Sequence, residues 1–400
     1  MTLNPGSTKE LIILTENFSP STGATAQLVT DLADDLYRSG ISLRVLTATC
    51  GPSDHAYPVL RLSSSSSPSV GILKKVIHGF LFFTGTATWL LVNIQKHQSL
   101  LIVSNPPFIG LIGVLVSLIR RTRYVFLFQD VFPRSASLTG ILPAHGPLIL
   151  LWRSLLKLVL IRSQTTVVLS SSMIRRCKSE FGSDIQLEFI PNWAVFSPQS
   201  KAKLESQLAY SWDLQNTFTV QYSGNFGRLH EILIILEAAR MLQAYPIMFV
   251  FVGGGAKADQ IEKYRATYNL TNVIVKPYQP RALLADSLAS CDISIVSLIP
   301  GADDTVAPSK LYGILASSKP VLLLSSEESE IASLITHNKC GLVVPHGDPV
   351  LLSKTLIYLS KTPDQVVKMG KNALILYKKN YGRAKSISQY HQLLVKYDMV

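Results

Sequence analysis

Three stretches in the second half of the chain bring together glycine, hydroxyl and cationic residues in the arrangement that phosphate binding needs. In Tyr222-Ser-Gly-Asn-Phe-Gly-Arg-Leu-His-Glu231 an apolar run stops at a GNFG turn and helical sequence resumes near Leu229. Gly224 and Gly227 would let backbone approach a phosphate beside Asn225, and Arg228 would add a bidentate charge. A glycine turn with a solvated arginine is the plainer alternative. Phe251-Val-Gly-Gly-Gly-Ala256 ends another strand in three glycines and suits a nucleotide loop, although its lack of side chains makes it nonspecific. In Ala307-Pro-Ser-Lys-Leu-Tyr-Gly-Ile-Leu-Ala316, Pro308 fits the first turn of a helix and Ser309 can donate its hydroxyl. Lys310 there meets the positive end of the helix dipole, a conflict that a bound anion would relieve. An ordinary exposed lysine is the alternative.

In the first half, Asp130 closes the run YVFLFQ and precedes VFPRS. A lone carboxylate at a strand end is a candidate base or acceptor-orienting group. It is equally a counter-ion for Arg134. Glu16 and the Ser21-Thr-Gly-Ala24 turn lie at the equivalent end of the first strand, where Gly23 could admit a sugar or phosphate to a helix N-terminus. Of the scattered histidines only His230 lies beside a candidate residue, and a solvated helix-start histidine is expected. Asp303-Asp304 is an adjacent pair rather than DxD, so no metal–diphosphate site is indicated.

These residues need elements to hold them, and the sequence supplies a βαβ rhythm. Strands are expected at Glu10 to Thr15, Leu43 to Ala48, Leu100 to Ser104, Tyr124 to Gln129 and Thr165 to Leu169, with a helix from Ala24 to Arg38 that stops at Gly40. The pattern breaks in PNWAVFSPQSKAKLESQLAYSWDLQ. It restarts at Thr217 to Tyr222, Ile247 to Val252, Val273 to Val275, Ile293 to Ser297, Val321 to Leu324 and Leu342 to Val344. Two Rossmann-like, doubly wound parallel-sheet halves follow. The five serines Ser63 to Ser67 are expected to form a flexible loop.

Length and composition agree with two cores: 400 residues, 47% hydrophobic and only 16% charged, exclude a disordered chain. Four cysteines without CxxC or Cys/His spacing argue against disulfide or zinc scaffolds. The opening MTLNPGSTKE lacks a basic segment followed by an apolar core, so no secretory signal is read and a cytoplasmic location is expected. From Arg61 to Ser179 there are fourteen Lys/Arg residues and one acid, Asp130, within a net charge of +12. Long apolar runs interleave that charge, Val76 to Ile94, Phe108 to Ile119 and Pro147 to Ile161, which favours an anionic membrane surface over nucleic acid. Core helices of an α/β domain are the alternative, and Val76 to Ile94 is long enough to raise a membrane span.

Taken together, QDVFPRSASLTGIL, IPNW, YSGNFGRLHEI, FVGGG, APSKLYGILASSKPVLLL, ESEIA and CGLVVPHGDP resemble the retaining glycosyltransferases of family 4, in the bacterial group that builds capsule, O-antigen and colanic-acid-type polysaccharides. The resemblance implies a GT-B fold, α/β, with two Rossmann-like domains facing a central cleft. It implies an N-terminal acceptor-binding, membrane-facing domain over 1–195, a linker over 196–215, a nucleotide-sugar domain over 216–380, and a C-terminal helix, 381–400, that crosses back. Arg228 and the Ser309-Lys310-Leu311 turn would meet the donor diphosphate, Gly253 and Gly254 with Lys276 to Tyr278 would surround the nucleoside, and Glu327 to Glu330 would close on ribose or phosphates. The donor would be a nucleoside-diphosphate sugar, UDP-linked, used without metal or other cofactor. The acceptor would be a lipid-linked or oligosaccharide chain at the inner face of the cytoplasmic membrane. Many members carry two glutamates with seven residues between them, and here those positions are Thr305 and Gly313, so Ser309, the Tyr312 backbone or Glu330 would have to recognise the ribose. Ser318 also replaces a family glycine. Two other readings are a nucleotide-sugar epimerase of the same fold and a non-catalytic membrane scaffold.

Overall fold

The computed structural model describes residues 9–52, 54–62, 72–143 and 145–400, with side chains of the helix starting at Ile72 described from residue 77 on. The serine tract Ser63 to Ser67 lies outside the described residues. The chain forms two units: the described residues up to Ser137 with Leu142–Pro191 and Ala384–Val400, and Asn192–Arg383 with Leu138–Ile141.

The first unit runs β1 (Glu10–Thr15), α1 (Ala24–Arg38), β2 (Leu43–Thr47), β3 (Val59–Arg61), α2 (Ile72–Asn93), β4 (Gln98–Val103), α3 (Gly110–Arg120), β5 (Tyr124–Phe128), α4 (Arg134–Leu138), α5 (Pro147–Arg162), β6 (Thr165–Val168), α6 (Ser171–Phe181) and β7 (Leu187–Phe189). Its seven strands are ordered β3-β2-β1-β4-β5-β6-β7, and each pairs in parallel with its neighbours. Helices cover such a sheet, so its strands read as continuous apolar runs; β4 and β5 are buried at every position. The two three-residue strands β3 and β7 escape the sequence reading because so short a run shows no periodicity.

The second unit holds α7 (Gln207–Ser211), β8 (Phe218–Asn225), α8 (Ile232–Met241), β9 (Ile247–Gly254), α9 (Ala258–Thr267), β10 (Val273–Lys276), α10 (Arg281–Ala289), β11 (Ile293–Ser297), α11 (Lys310–Ala316), β12 (Val321–Leu324), α12 (Glu330–His337), β13 (Gly341–Val344), α13 (Pro349–Ser360) and α14 (Pro363–Asn380). Its sheet is parallel in the order β10-β9-β8-β11-β12-β13. The strand order reverses between β8 and β11, and open α/β sheets place ligands outside the carboxyl ends of strands at such a point.

Residues 196–215, expected as a linker, are built into this unit. Ala209 and Leu214 pack on Val250 and Val252, and the Lys203 ammonium reaches Asp292 Oδ2 at 2.7 Å. Apolar side chains spaced among polar ones had hidden that contact. The last helix, α15 (Arg383–Lys396), belongs with the first unit. Ser99 Oγ donates to Met399 O at 2.8 Å and Arg123 reaches Asp398 Oδ2 at 2.8 Å. The exposed ion pair adds little, so the buried Ser99 contact and the buried Tyr390 and Leu394 carry most of the anchoring.

Candidate active site

The site is built where β8 and β9 end. Their registers run to Gly224 opposite Gly253 and Asn225 opposite Gly254. Gly224 has φ +120° and Gly253 φ +143°, and a Cβ on Gly253 would collide with Gly224 O. Only glycine lets the two turns lie backbone to backbone. Phe226 N–H donates to Gly254 O at 2.8 Å and Lys257 N–H to Phe226 O at 3.0 Å, which locks the GNFG turn onto the glycine loop.

Three cations gather round this turn. Lys310 crosses from the start of α11 with its Cε beside Gly224, and its Nζ lies 3.6 Å from the centre of the Tyr222 ring. That nitrogen is buried and has no hydrogen-bond partner among the described residues. Burial holds its pKa well below the usual lysine range. The lysine is therefore sunk under the turn, whereas the sequence left an ordinary exposed lysine open.

Arg228 is exposed at the rim. The third cation, Lys257, was not read from the sequence; its Nζ donates to His230 O at 2.5 Å. Burial lowers the Lys257 pKa, Glu231 raises it and Arg228 lowers it further. Its position directly after the GGGA loop was the available signal.

His230 corrects the expectation of a solvated histidine. Its Nδ1 lies 2.5 Å from Ser297 O, at the end of β11 across the switch point. Burial first and the Lys310 charge second push its pKa down to about 3, so the imidazole is neutral and Nδ1 carries the proton that Ser297 O accepts. The chain after GNFG is not yet helical at Leu229; α8 starts at Ile232.

Tyr278 hydroxyl donates to Gly254 O at 3.1 Å and its ring stays exposed. Lys276 turns instead toward the Trp212 ring, 5.8 Å from its centre. Leu311 is a correction: its side chain belongs to the core with Val296 and Leu323, and its N–H bonds to Pro308 O at 3.0 Å. One step along a helix turns a side chain about 100°, so the neighbour of Lys310 faces inward. Ser309 does not cap α11 with its side chain. Glu330 opens α12 after the capping Ser329 and helps burial raise the Tyr381 hydroxyl to about 12. At Gly313 a Cβ would face Leu288 and Phe196, and Thr305 is buried with its hydroxyl donating to Asp304 Oδ1 at 3.1 Å. Asn225 is exposed, and Gly227 packs a hypothetical Cβ within 3.0 Å of Asn225 Nδ2.

Further loops are tied by a histidine. His346 Nδ1 is 3.2 Å from Glu231 Oε2, and its Nε2 is 3.7 Å from Asp303 Oδ2. Asp303 also accepts from Ser325 Oγ. This joins the segments that follow β8, β11, β12 and β13 beside the cations.

In the first unit, Thr25 Oγ1 donates to Gln129 Oε1 at 2.9 Å, linking the start of α1 to the residue before Asp130. Gly23 precedes α1, and a Cβ there would meet nothing closer than Ser21 Oγ at 3.8 Å. Burial pushes the Asp130 carboxyl up to about 6. A guanidinium paired with it would pull it the other way.

Two parallel doubly wound units, with glycine turns and cations at the switch point of the second, are the architecture of the GT-B fold. Residues 212–375 match the family Glycosyl transferases group 1, so the chain carries a group 1 glycosyltransferase domain. It is 27% identical over 289 residues to WbjE of Pseudomonas aeruginosa, named a glycosyltransferase, covering 71% of this chain and 70% of that one. It is 30% identical over 170 residues to WcaI of Escherichia coli (strain K12), named for colanic acid biosynthesis, covering 42% of each. Among solved structures, Anabaena HepE in complex with UDP-glucose superposes with a TM-score of 0.75 at 15% identity, over 97% of this chain and 100% of that one. The resemblance read from the sequence thus holds for family and fold.

Proposed function

We propose that the protein moves a hexose or N-acetylhexosamine, with retention and without a metal, from a UDP-linked donor to a lipid-linked or glycan acceptor in cell-surface polysaccharide assembly on the cytoplasmic side of the membrane. The observation that carries the reading is Lys310, a buried ammonium with no hydrogen-bond partner under a glycine turn that also presents Arg228. A diphosphate is the anion that such a turn admits. HepE, whose structure contains UDP-glucose, and WcaI, named for colanic acid, support the donor and the pathway class.

In this reading Arg228 and Lys310 neutralise charge on the departing diphosphate as the glycosidic bond lengthens. A cation already in place at that oxygen acts only as charge develops, and losing one such group costs about 10²–10³ in rate. The departing phosphate oxygen takes the acceptor proton on the same face of the sugar, so no protein nucleophile is needed. Asp130 orients the acceptor hydroxyl. The exposed Tyr278 ring offers a stacking surface to the base, and Ser309 and Glu330 supply polar groups for ribose.

The test has two parts. A panel of nucleoside diphosphate sugars should raise the Tm for UDP-linked members above others, since a ligand bound only by the folded state stabilises it. NMR of the product should then show the anomeric configuration of the donor. An inverted product would overturn the retaining mechanism, and a panel without a Tm shift would overturn the donor.

A further inference from the structure

We propose that His346 is a positioning residue for donor binding: its imidazole, lodged between Glu231 and Asp303, fixes the spacing of the Arg228 and Lys310 segments around a diphosphate. The inference rests on the donor reading above and deepens it by naming what sets the register of the two cations. His346 itself lies in the turn between β13 and α13 and acts through its two carboxylate neighbours.

Each neighbour stands on a segment that bears a cation. Glu231 closes the turn after β8 that carries Arg228, and Asp303 sits in the loop after β11 that ends at Lys310. The base of that loop is tied to the turn: Ile299 N–H donates to Leu229 O at 2.9 Å, and His230 Nδ1 donates to Ser297 O. Beyond Ile299 the imidazole continues the tie, with Nδ1 3.2 Å from Glu231 Oε2 and Nε2 3.7 Å from Asp303 Oδ2.

Burial makes the bridge sensitive. The side chains of His346, Glu231 and Asp303 are 16%, 13% and 17% exposed, so salt and water screen them weakly. Without the imidazole two carboxylates would face each other in that space and push their segments apart. His346 Nε2 is buried without a hydrogen-bond partner among the described residues, and closure of the loop by about half an ångström would bring it within hydrogen-bond reach of Asp303. The outer ends are anchored as well: Asp303 accepts from Ser325 Oγ after β12, and the Lys257 charge attracts Glu231 from the loop after β9. A diphosphate engages two cations at once and senses their spacing, whereas a monophosphate meets them one at a time.

Calorimetry of UDP and of UMP binding to the full chain, with Tm recorded for each protein, tests the bridge. His346→Leu and Asp303→Ala should each weaken UDP by about tenfold and UMP by less than about twofold, and the double variant should lose no more than the larger single loss, because all three cut one bridge. His346→Gln should recover most of the UDP affinity, since its amide carries two N–H donors for the two carboxylates. Should His346→Leu fail to fold, Asp303→Ala carries the same comparison. Unchanged UDP affinity in a folded single variant, equal losses for UDP and UMP, or additive losses in the double variant would overturn the assignment. A wild type that binds neither nucleotide would instead overturn the donor reading itself.

Discussion

The Lys310 side-chain nitrogen rests on the face of Tyr222, 3.6 Å from the ring centre, and has no hydrogen-bond partner among the described residues. The ring quadrupole offsets part of the desolvation cost, but not the part that water or an anion would supply. In the proposed reading, a donor diphosphate would complete the environment that the fold leaves incomplete.

Donor binding should therefore take up a proton. The pKa of Lys310 is held down by burial in the free protein, and a neighbouring dianion would raise it. Affinity should fall as pH rises through the free-state pKa toward the bound-state one. Calorimetry of UDP binding in buffers with different ionisation heats should give net uptake in the wild type and less in Lys310→Met. No uptake in the wild type would show that Lys310 does not change charge against the donor.

Two glycines should separate packing from ligand approach. Gly253→Ala forces a Cβ into Gly224 O at φ +143°, so the paired turns must part, at a cost of about 2–4 kcal/mol. Denaturant unfolding should show the loss, and UDP binding should fall with it. Gly23→Ala meets only Ser21 Oγ at 3.8 Å and should leave stability within about 0.5 kcal/mol. If a substrate approaches Gly23, its KM should still rise; an unchanged KM would remove Gly23 from the site.

Asp130→Asn should stabilise the protein at neutral pH and slow it. The folded pKa of about 6 lies above the ordinary 3.8, so the native state binds the extra proton and stability falls as pH rises from about 4 to 6. Unfolding measurements across that range should show the wild type losing stability relative to the variant, by roughly 1–3 kcal/mol once ionised. Turnover should drop more than donor affinity. Full turnover would leave Asp130 a structural residue.

Much of this was legible in the sequence because parallel strands covered by helices are uninterrupted apolar runs, and each longer strand begins or ends within a few residues of its expected limit. What failed was geometric. The chain stays irregular from Leu229 to Glu231, where His230 bonds to Ser297 O, and the helix starts at Ile232. Lys257 was passed over because the glycines before it dominate that loop, although its side chain folds back on the neighbouring turn. The bridge from Glu231 through His346 to Asp303 joins residues far apart in the chain, and only the sheet order brings them together. The exposed leucines of α5 read equally as core or as surface until packing showed which side of the helix is covered.

The most direct test of the account is the rate of sugar transfer by Lys310→Met at saturating donor, with Tm recorded on the same sample. Removing a buried, unpartnered ammonium should leave Tm equal to or above that of the wild type while turnover falls by about 10²–10³. A folded Lys310→Met protein that transfers sugar at the wild-type rate would contradict it.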